Sequence, residues 1–153
     1  MKRIESLLLA QPFTNGMKNT QMGKIAECAS YLELPGGQYV FRQGESAREF
    51  FLILNGSVEI ELFSATGGPV VLEKITSGSV LGWSWLISPY QWRFDARTVE
   101  PLSAIKVDAM RLRNLMEKDA EFGYEVLKRF LQIIGDRLES ERMKLVDMYA
   151  SHS

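Results

Sequence analysis

Between Tyr39 and Val107 the apolar residues recur at every second position in short runs, each cut by a turn rich in Gly, Pro, Asn or Ser. A period of two sets side chains on alternate faces of a strand, so this stretch reads as β-structure. Tyr39 and Phe41 alternate with Val40 and Arg42, and Gly44-Glu45-Ser46-Ala47 ends that run. Glu49 to Leu54 is apolar after its first residue, as in a strand buried on both faces. Ser57 to Phe63 sets Val58, Ile60 and Leu62 against Glu59 and Glu61, which read as an outward, solvated pair. Asn55-Gly56 between these runs predicts a hairpin. Ala65 to Pro69 is a second turn, Val70 to Ile75 a further strand and Ser77-Gly78 another turn. Trp92 to Val99 and Leu102 to Val107 close the region. Turns at intervals of roughly 8–12 residues point to a sandwich or barrel-like roll.

Helical patterns flank this region. Residues 1–10 read as a short helix. Asn19 to Tyr31 reads as a second, with Met22, Ile25, Ala26 and Ala29 on one stripe, and Pro35-Gly36-Gly37 turns the chain after it. Asp108 is placed to cap a helix from Ala109 to Lys118, and Asp119 to cap another that runs to about Tyr149. Along the last helix Leu127, Leu131, Ile134, Leu138, Leu145 and Met148 form an a/d-like seam interrupted at Glu141. Such a helix overhangs a domain of this size, so the seam predicts a homodimer through the C-terminal helix. The expected plan is a single domain over 1–153, with N-terminal helices 1–31, a β-roll 32–107 and C-terminal helices 108–149; 153 residues suffice for one core. The fold class is mainly β with flanking α, a double-stranded β-helix or jelly-roll-like roll.

The chemistry bearing on function is sparse. The net charge is −1, with 18 basic and 19 acidic residues, which gives no electrostatic footprint for nucleic acid or an anionic membrane. No apolar run is long enough for a transmembrane helix, and Glu5 with Pro12-Phe13 spoils the N-terminus as a signal peptide. The one cysteine, Cys28, cannot form an internal disulfide, which fits a reducing cytoplasm, and without a histidine beside it as base it reads as a core thiol. The one histidine, His152, lies in the terminal tail, which argues against a histidine metal site. No Walker or Rossmann glycine loop is present. No catalytic constellation emerges, so the chain is not read as an enzyme.

The segments Leu9-Ala10-Gln11-Pro12-Phe13, Leu34-Pro35-Gly36-Gly37-Gln38-Tyr39-Val40-Phe41-Arg42-Gln43-Gly44-Glu45 and Glu49 to Ile60 together resemble the cyclic-nucleotide-binding domain. That family is the sensor module of catabolite-activator-type regulators, protein kinase A regulatory subunits and gated channels. The resemblance runs from about Leu9 into the C-terminal helix. It implies an eight-stranded β-roll flanked by helices, the last of which relays ligand binding or dimerises.

It also implies a phosphate-binding cassette after the sixth strand. There a glycine and a glutamate precede small and apolar residues, and an arginine follows. Backbone N–H groups and the arginine hold the cyclic phosphate, and the glutamate accepts from the ribose 2′-hydroxyl. The segment Leu81-Gly82-Trp83-Ser84-Trp85-Leu86 stands in that place. Gly82 matches the glycine, and Trp83 replaces the glutamate. Counting forward from Gly82 gives the arginine role to Arg93, whereas counting back from Leu102–Asp108 gives that position to Trp92. On a strand Trp92, Phe94, Ala96 and Thr98 share one face, while Arg93, Asp95 and Arg97 share a solvated one. This alternation favours Trp92 inward, although a bulge could return Arg93 to the roll. The candidate ligand-binding residues are Gly82, Trp83, Ser84, Trp85, Leu86, Trp92 and Arg93.

Losing the glutamate and the arginine would each remove a charged hydrogen bond, about 1.5–3 kcal/mol apiece. Together that is roughly two to four decades of affinity. Two readings of function stay open. One is a stand-alone regulatory sensor binding a cyclic nucleotide such as cyclic AMP, or another small aromatic ligand, through a degenerate cassette. The other is a ligand-free protein-interaction module plugged by its tryptophans, with Tyr90 and Phe94 adding stacking surface. Relatives of the catabolite-activator type carry a helix-turn-helix after the long helix. Here only Ala150-Ser151-His152-Ser153 follows, so no direct DNA binding is expected.

Overall fold

The computed structural model describes residues 2–151; His152 lies outside them. It divides into two compact units, Met1–Leu115 and Met116–Ser153, with the boundary inside a helix.

The first unit opens with α1 (Lys2–Leu9), a 3-10 turn (Pro12–Thr14) and α2 (Asn19–Glu27). Eight strands follow: β1 (Ala29–Leu34), β2 (Tyr39–Phe41), β3 (Glu49–Asn55), β4 (Ser57–Ser64), β5 (Gly68–Thr76), β6 (Val80–Leu81), β7 (Asp95–Thr98) and β8 (Leu102–Asp108). They form two four-stranded antiparallel sheets, ordered β1-β8-β3-β6 and β2-β7-β4-β5. This is the jelly-roll-like β-roll with N-terminal helices. The apolar run of β3 is buried from Phe50 to Ile53, in a strand paired with β8 on one side and β6 on the other. Side chains of Val58, Ile75, Leu81, Ala96, Ile105 and Val107 complete the core. Phe13 reaches Phe50 with ring centroids 6.0 Å apart.

Several expectations change in this unit, three of them away from the candidate cassette. The second helix stops at Glu27, with Cys28 as its C-cap, and Ala29–Leu34 is a strand. The expected helix, Asn19 to Tyr31, runs four residues too far, because pairing with β8 from Ala29↔Val107 to Leu34↔Leu102 outweighs local pattern. Asn55-Gly56 does not close a hairpin: β3 and β4 lie in different sheets. The turn is a corner at which a Cβ on Gly56, whose φ is +95°, would come within 2.5 Å of the Pro101 carbonyl oxygen. Glu61 is not solvated. It is 1 % exposed, and its Oε2 accepts from Arg97 Nη2 at 2.9 Å and Nε at 3.2 Å. Arg97 also reaches Glu59 at 3.4 Å, and the Glu61 hydrogen bonds push its pKa further up. Glu61 Oε1 is buried with no hydrogen-bond partner.

Helix α3 (Ala109–Lys118) starts as expected, with Asp108 Oδ1 accepting from the Met110 and Arg111 amides at 3.1 Å each. The second unit holds α4 (Ala120–Ala150), capped by Asp119, whose Oδ1 accepts from the Phe122 amide at 3.2 Å. Phe122, Val126 and Phe130 form its buried stripe. Gly123 allows the close passage of Met116, whose carbonyl oxygen would lie 2.9 Å from a Cβ there. Glu125 binds Lys128 and Arg129, and the Arg129 hydrogen bond holds its carboxyl below the usual range. The seam residues Leu127, Leu131, Leu138, Leu145 and Met148 are exposed, Leu131 by 70 %, and every residue from 138 to 150 is exposed.

Candidate functional site

The candidate cassette begins where β6 ends. Gly82 is buried with φ +99°, a conformation that L side chains rarely adopt. A 3-10 turn (Ser84–Leu86) follows, with Trp83 half-buried at its N-cap. Ser84 is buried and Leu86 half-buried. Trp85 is fully buried and stacks on Phe50 of β3, ring centroids 5.3 Å apart. From Ile87 to Gln91 every residue is exposed, and Tyr90 holds a positive φ of 58°. That conformation costs a bulky residue roughly 1–2 kcal/mol.

Trp92 then turns inward. It is 5 % exposed, and its ring stacks on Phe41 with centroids 3.7 Å apart and planes 6° from parallel. The far edge of the indole rests on Gly82: a Cβ built there would meet Trp92 Cη2 at 2.7 Å and Cζ3 at 2.9 Å. Burying one aromatic face on another adds about 0.5–1.5 kcal/mol beyond area burial. Backbone hydrogen bonds hold both ends of the residue, from Gly44 N to Trp92 O at 2.8 Å and from Trp92 N to Glu45 O at 2.9 Å. Arg93 is exposed, with no ion pair among the described residues.

The structure therefore brings Gly82 and Trp92 together and sends Trp85 to Phe50. Arg93 stays outside. Asp95 does not lie on the solvated face to which alternation assigns it. That residue is buried, and it accepts from the Gln43 amide at 2.8 Å and from Arg42 Nε at 3.4 Å. The strand also begins only at Asp95, so residues 92–94 belong to the approach to β7. Two contributing residues were not singled out from sequence. Phe41 read as one apolar position in an alternating run, and nothing local to it announces Trp92 as its partner. Arg113 of α3 places its guanidinium over the Tyr90 ring at 4.2 Å and donates from Nη1 to the Trp85 carbonyl at 3.5 Å.

The resemblance places a guanidinium for the cyclic phosphate and a carboxylate for the ribose at this corner. Trp92 and Trp83 carry neither group, and the indole lies on Gly82. Cys28 is buried, and burial pushes its thiol up to about 11, away from nucleophilic use. Among the described residues no group of three or more His, Cys, Asp or Glu side chains is placed to hold a metal ion. No helix among them is long and apolar enough to cross a membrane.

Residues 31–119 match the family model described as the cyclic nucleotide-binding domain. The chain is 29 % identical over 140 residues to a cAMP-dependent protein kinase regulatory subunit of Schizosaccharomyces pombe, covering 82 % of this chain and 33 % of that protein. A protein of the same description from Mycosarcoma maydis is 30 % identical over 78 residues, 51 % of this chain and 15 % of that one. The chain thus spans a third or less of the length of these curated relatives. In structure it resembles a cyclic nucleotide-binding domain from Methylobacillus flagellatus KT, with a TM-score of 0.80 at 16 % identity over 96 % of this chain and 83 % of that one. It likewise resembles a putative cyclic nucleotide-binding protein from Geobacter metallireducens GS-15, with a TM-score of 0.76 at 23 % identity over 90 % and 96 %.

Proposed function

The chain belongs to the cyclic nucleotide-binding domain family, and on that premise we propose that it is a non-enzymatic regulatory domain whose cassette has lost the grip on a cyclic phosphate. The observation that carries this reading is the seat of Trp92 between Phe41 and Gly82. An indole there takes the room and the polarity that a phosphate–arginine pair requires. Residues 1–153 act as one regulatory module in this reading, and its output goes to a protein partner. The free thiol of Cys28 supports a cytoplasmic setting.

Calorimetry tests it. Cyclic AMP or cyclic GMP added to the wild-type chain gives no binding heat at micromolar concentration and leaves the melting temperature unchanged. Micromolar binding of either nucleotide overturns the proposal.

The module is a homodimer through α4. Supporting this, residues 138–150 are exposed on all sides while carrying Leu138, Met143, Leu145, Val146, Met148 and Tyr149. A helical stretch of about 12–15 residues without packing is marginal in water, and the seam Leu127-Leu131-Leu138-Leu145 offers the packing. Light scattering gives a dimer mass for wild type and a monomer mass for Leu131→Glu and Leu138→Glu. A monomeric wild type refutes the dimer.

A further inference from the structure

We propose that Trp92 is a built-in aromatic ligand: its indole pins the segment 87–91 and, through Tyr90 and Arg113, sets the link between the cassette and α3. The proposal rests on the reading that no cyclic nucleotide is gripped at this corner.

Residues 87–91 contain no buried side chain. Their nearest buried anchors are Trp85 before them and Trp92 after them. Between those anchors Tyr90 sits at φ +58°, a backbone state that persists only where its surroundings impose it. The imposing contacts form a short backbone ladder. The Ala47 amide donates to the Tyr90 carbonyl at 2.8 Å, Ser46 bridges Gln91, and Gly44 and Glu45 bond both polar groups of Trp92. The ladder ends on Trp92, whose ring is fixed by Phe41 and Gly82.

Arg113 then reads the result on α3. It lies over the Tyr90 ring and bonds the Trp85 carbonyl, so it touches the segment near both anchors. Removing the indole frees the C-terminal anchor, and the strained Tyr90 is the first residue able to relax. Local opening is governed by such few-contact segments, while core strands exchange only on global unfolding. The cavity left between Phe41 and Gly82 is apolar and flat, suited to one free heteroaromatic ring.

The test is hydrogen exchange on the full chain carrying Trp92→Ala. The amides of Gly44, Ala47 and Tyr90 should exchange at least about tenfold faster than in wild type, with β3 and β8 unchanged. Millimolar indole should restore their protection, and Arg113→Ala should speed exchange at Tyr90 with the indole seat intact. Unchanged loop exchange overturns the proposal, as does uniform acceleration across β3 and β8 that indole does not reverse. Should Trp92→Ala fail to fold, Trp92→Phe gives the same comparison at smaller amplitude and is decided by the same two criteria. Micromolar cyclic AMP binding to wild type is a separate outcome. It removes the functional reading beneath, whereas a failed exchange test removes only the pin.

Discussion

Gly82→Ala loses about 2–6 kcal/mol of stability in urea or thermal unfolding, and about half of that loss disappears in a Trp92→Ala background. Two costs combine at this position. A φ of +99° is open to glycine and strained for alanine, worth about 1–3 kcal/mol. The new methyl group also meets the indole at 2.7 Å and 2.9 Å, and the ring has Phe41 stacked on it at 3.7 Å, so it cannot simply yield. Overpacking of this kind costs about 1–3 kcal/mol. The first cost is a backbone property and survives removal of the ring. The second is a property of the pair and vanishes with it, so the double-mutant cycle reports the steric part alone. Equal cost in both backgrounds would mean that the indole is not seated on Gly82, and the functional reading would lose its main support.

That cycle probes the contact the sequence made only half legible. Alternation put Trp92 inward and Arg93 outward; Trp92 is buried and Arg93 exposed, yet both precede β7, which begins at Asp95, and Asp95 itself is buried against that pattern. Strand periodicity therefore does not account for where these residues sit. The partner of Trp92 is a different matter. Phe41 lies some fifty positions earlier, in a strand paired with β7, and no spacing rule connects them. The same division explains the fold. Caps at Asp108 and Asp119 were legible because a carboxylate and the amides it serves lie within three residues of each other. β1 was missed because its order comes from β8, about seventy residues away. Asn55-Gly56 announced a turn correctly, but whether a turn pairs its own flanks or hands the chain to another sheet depends on what else those flanks can pair with. Glu61 read as solvated because alternation assigns a face, while burial on that face depends on neighbours such as Arg97.

Trp83→Glu combined with Trp92→Arg gives the chain measurable affinity for cyclic AMP. The double substitution returns a carboxylate for the ribose hydroxyl and a guanidinium for the phosphate. Each charged hydrogen bond contributes about 1.5–3 kcal/mol, together roughly two to four decades in the dissociation constant. It also removes the indole that lies on Gly82. The same change carries a cost without ligand, because an arginine at a position 5 % exposed brings an unpaired charge into the roll. The free variant therefore melts below wild type, and cyclic AMP stabilises it by linkage, by about 2.7 kcal/mol at a hundredfold excess over the dissociation constant, which raises its melting temperature. Wild type shows no such rise. Trp92→Ala separates space from charge: it clears the ring and supplies no guanidinium. A response of Trp92→Ala as large as that of the double variant would mean that bulk alone kept the nucleotide out. A response from neither would mean that Trp92 does not stand at the phosphate position, and the register counted forward from Gly82, with Arg93 in that role, would replace the one counted back from β8.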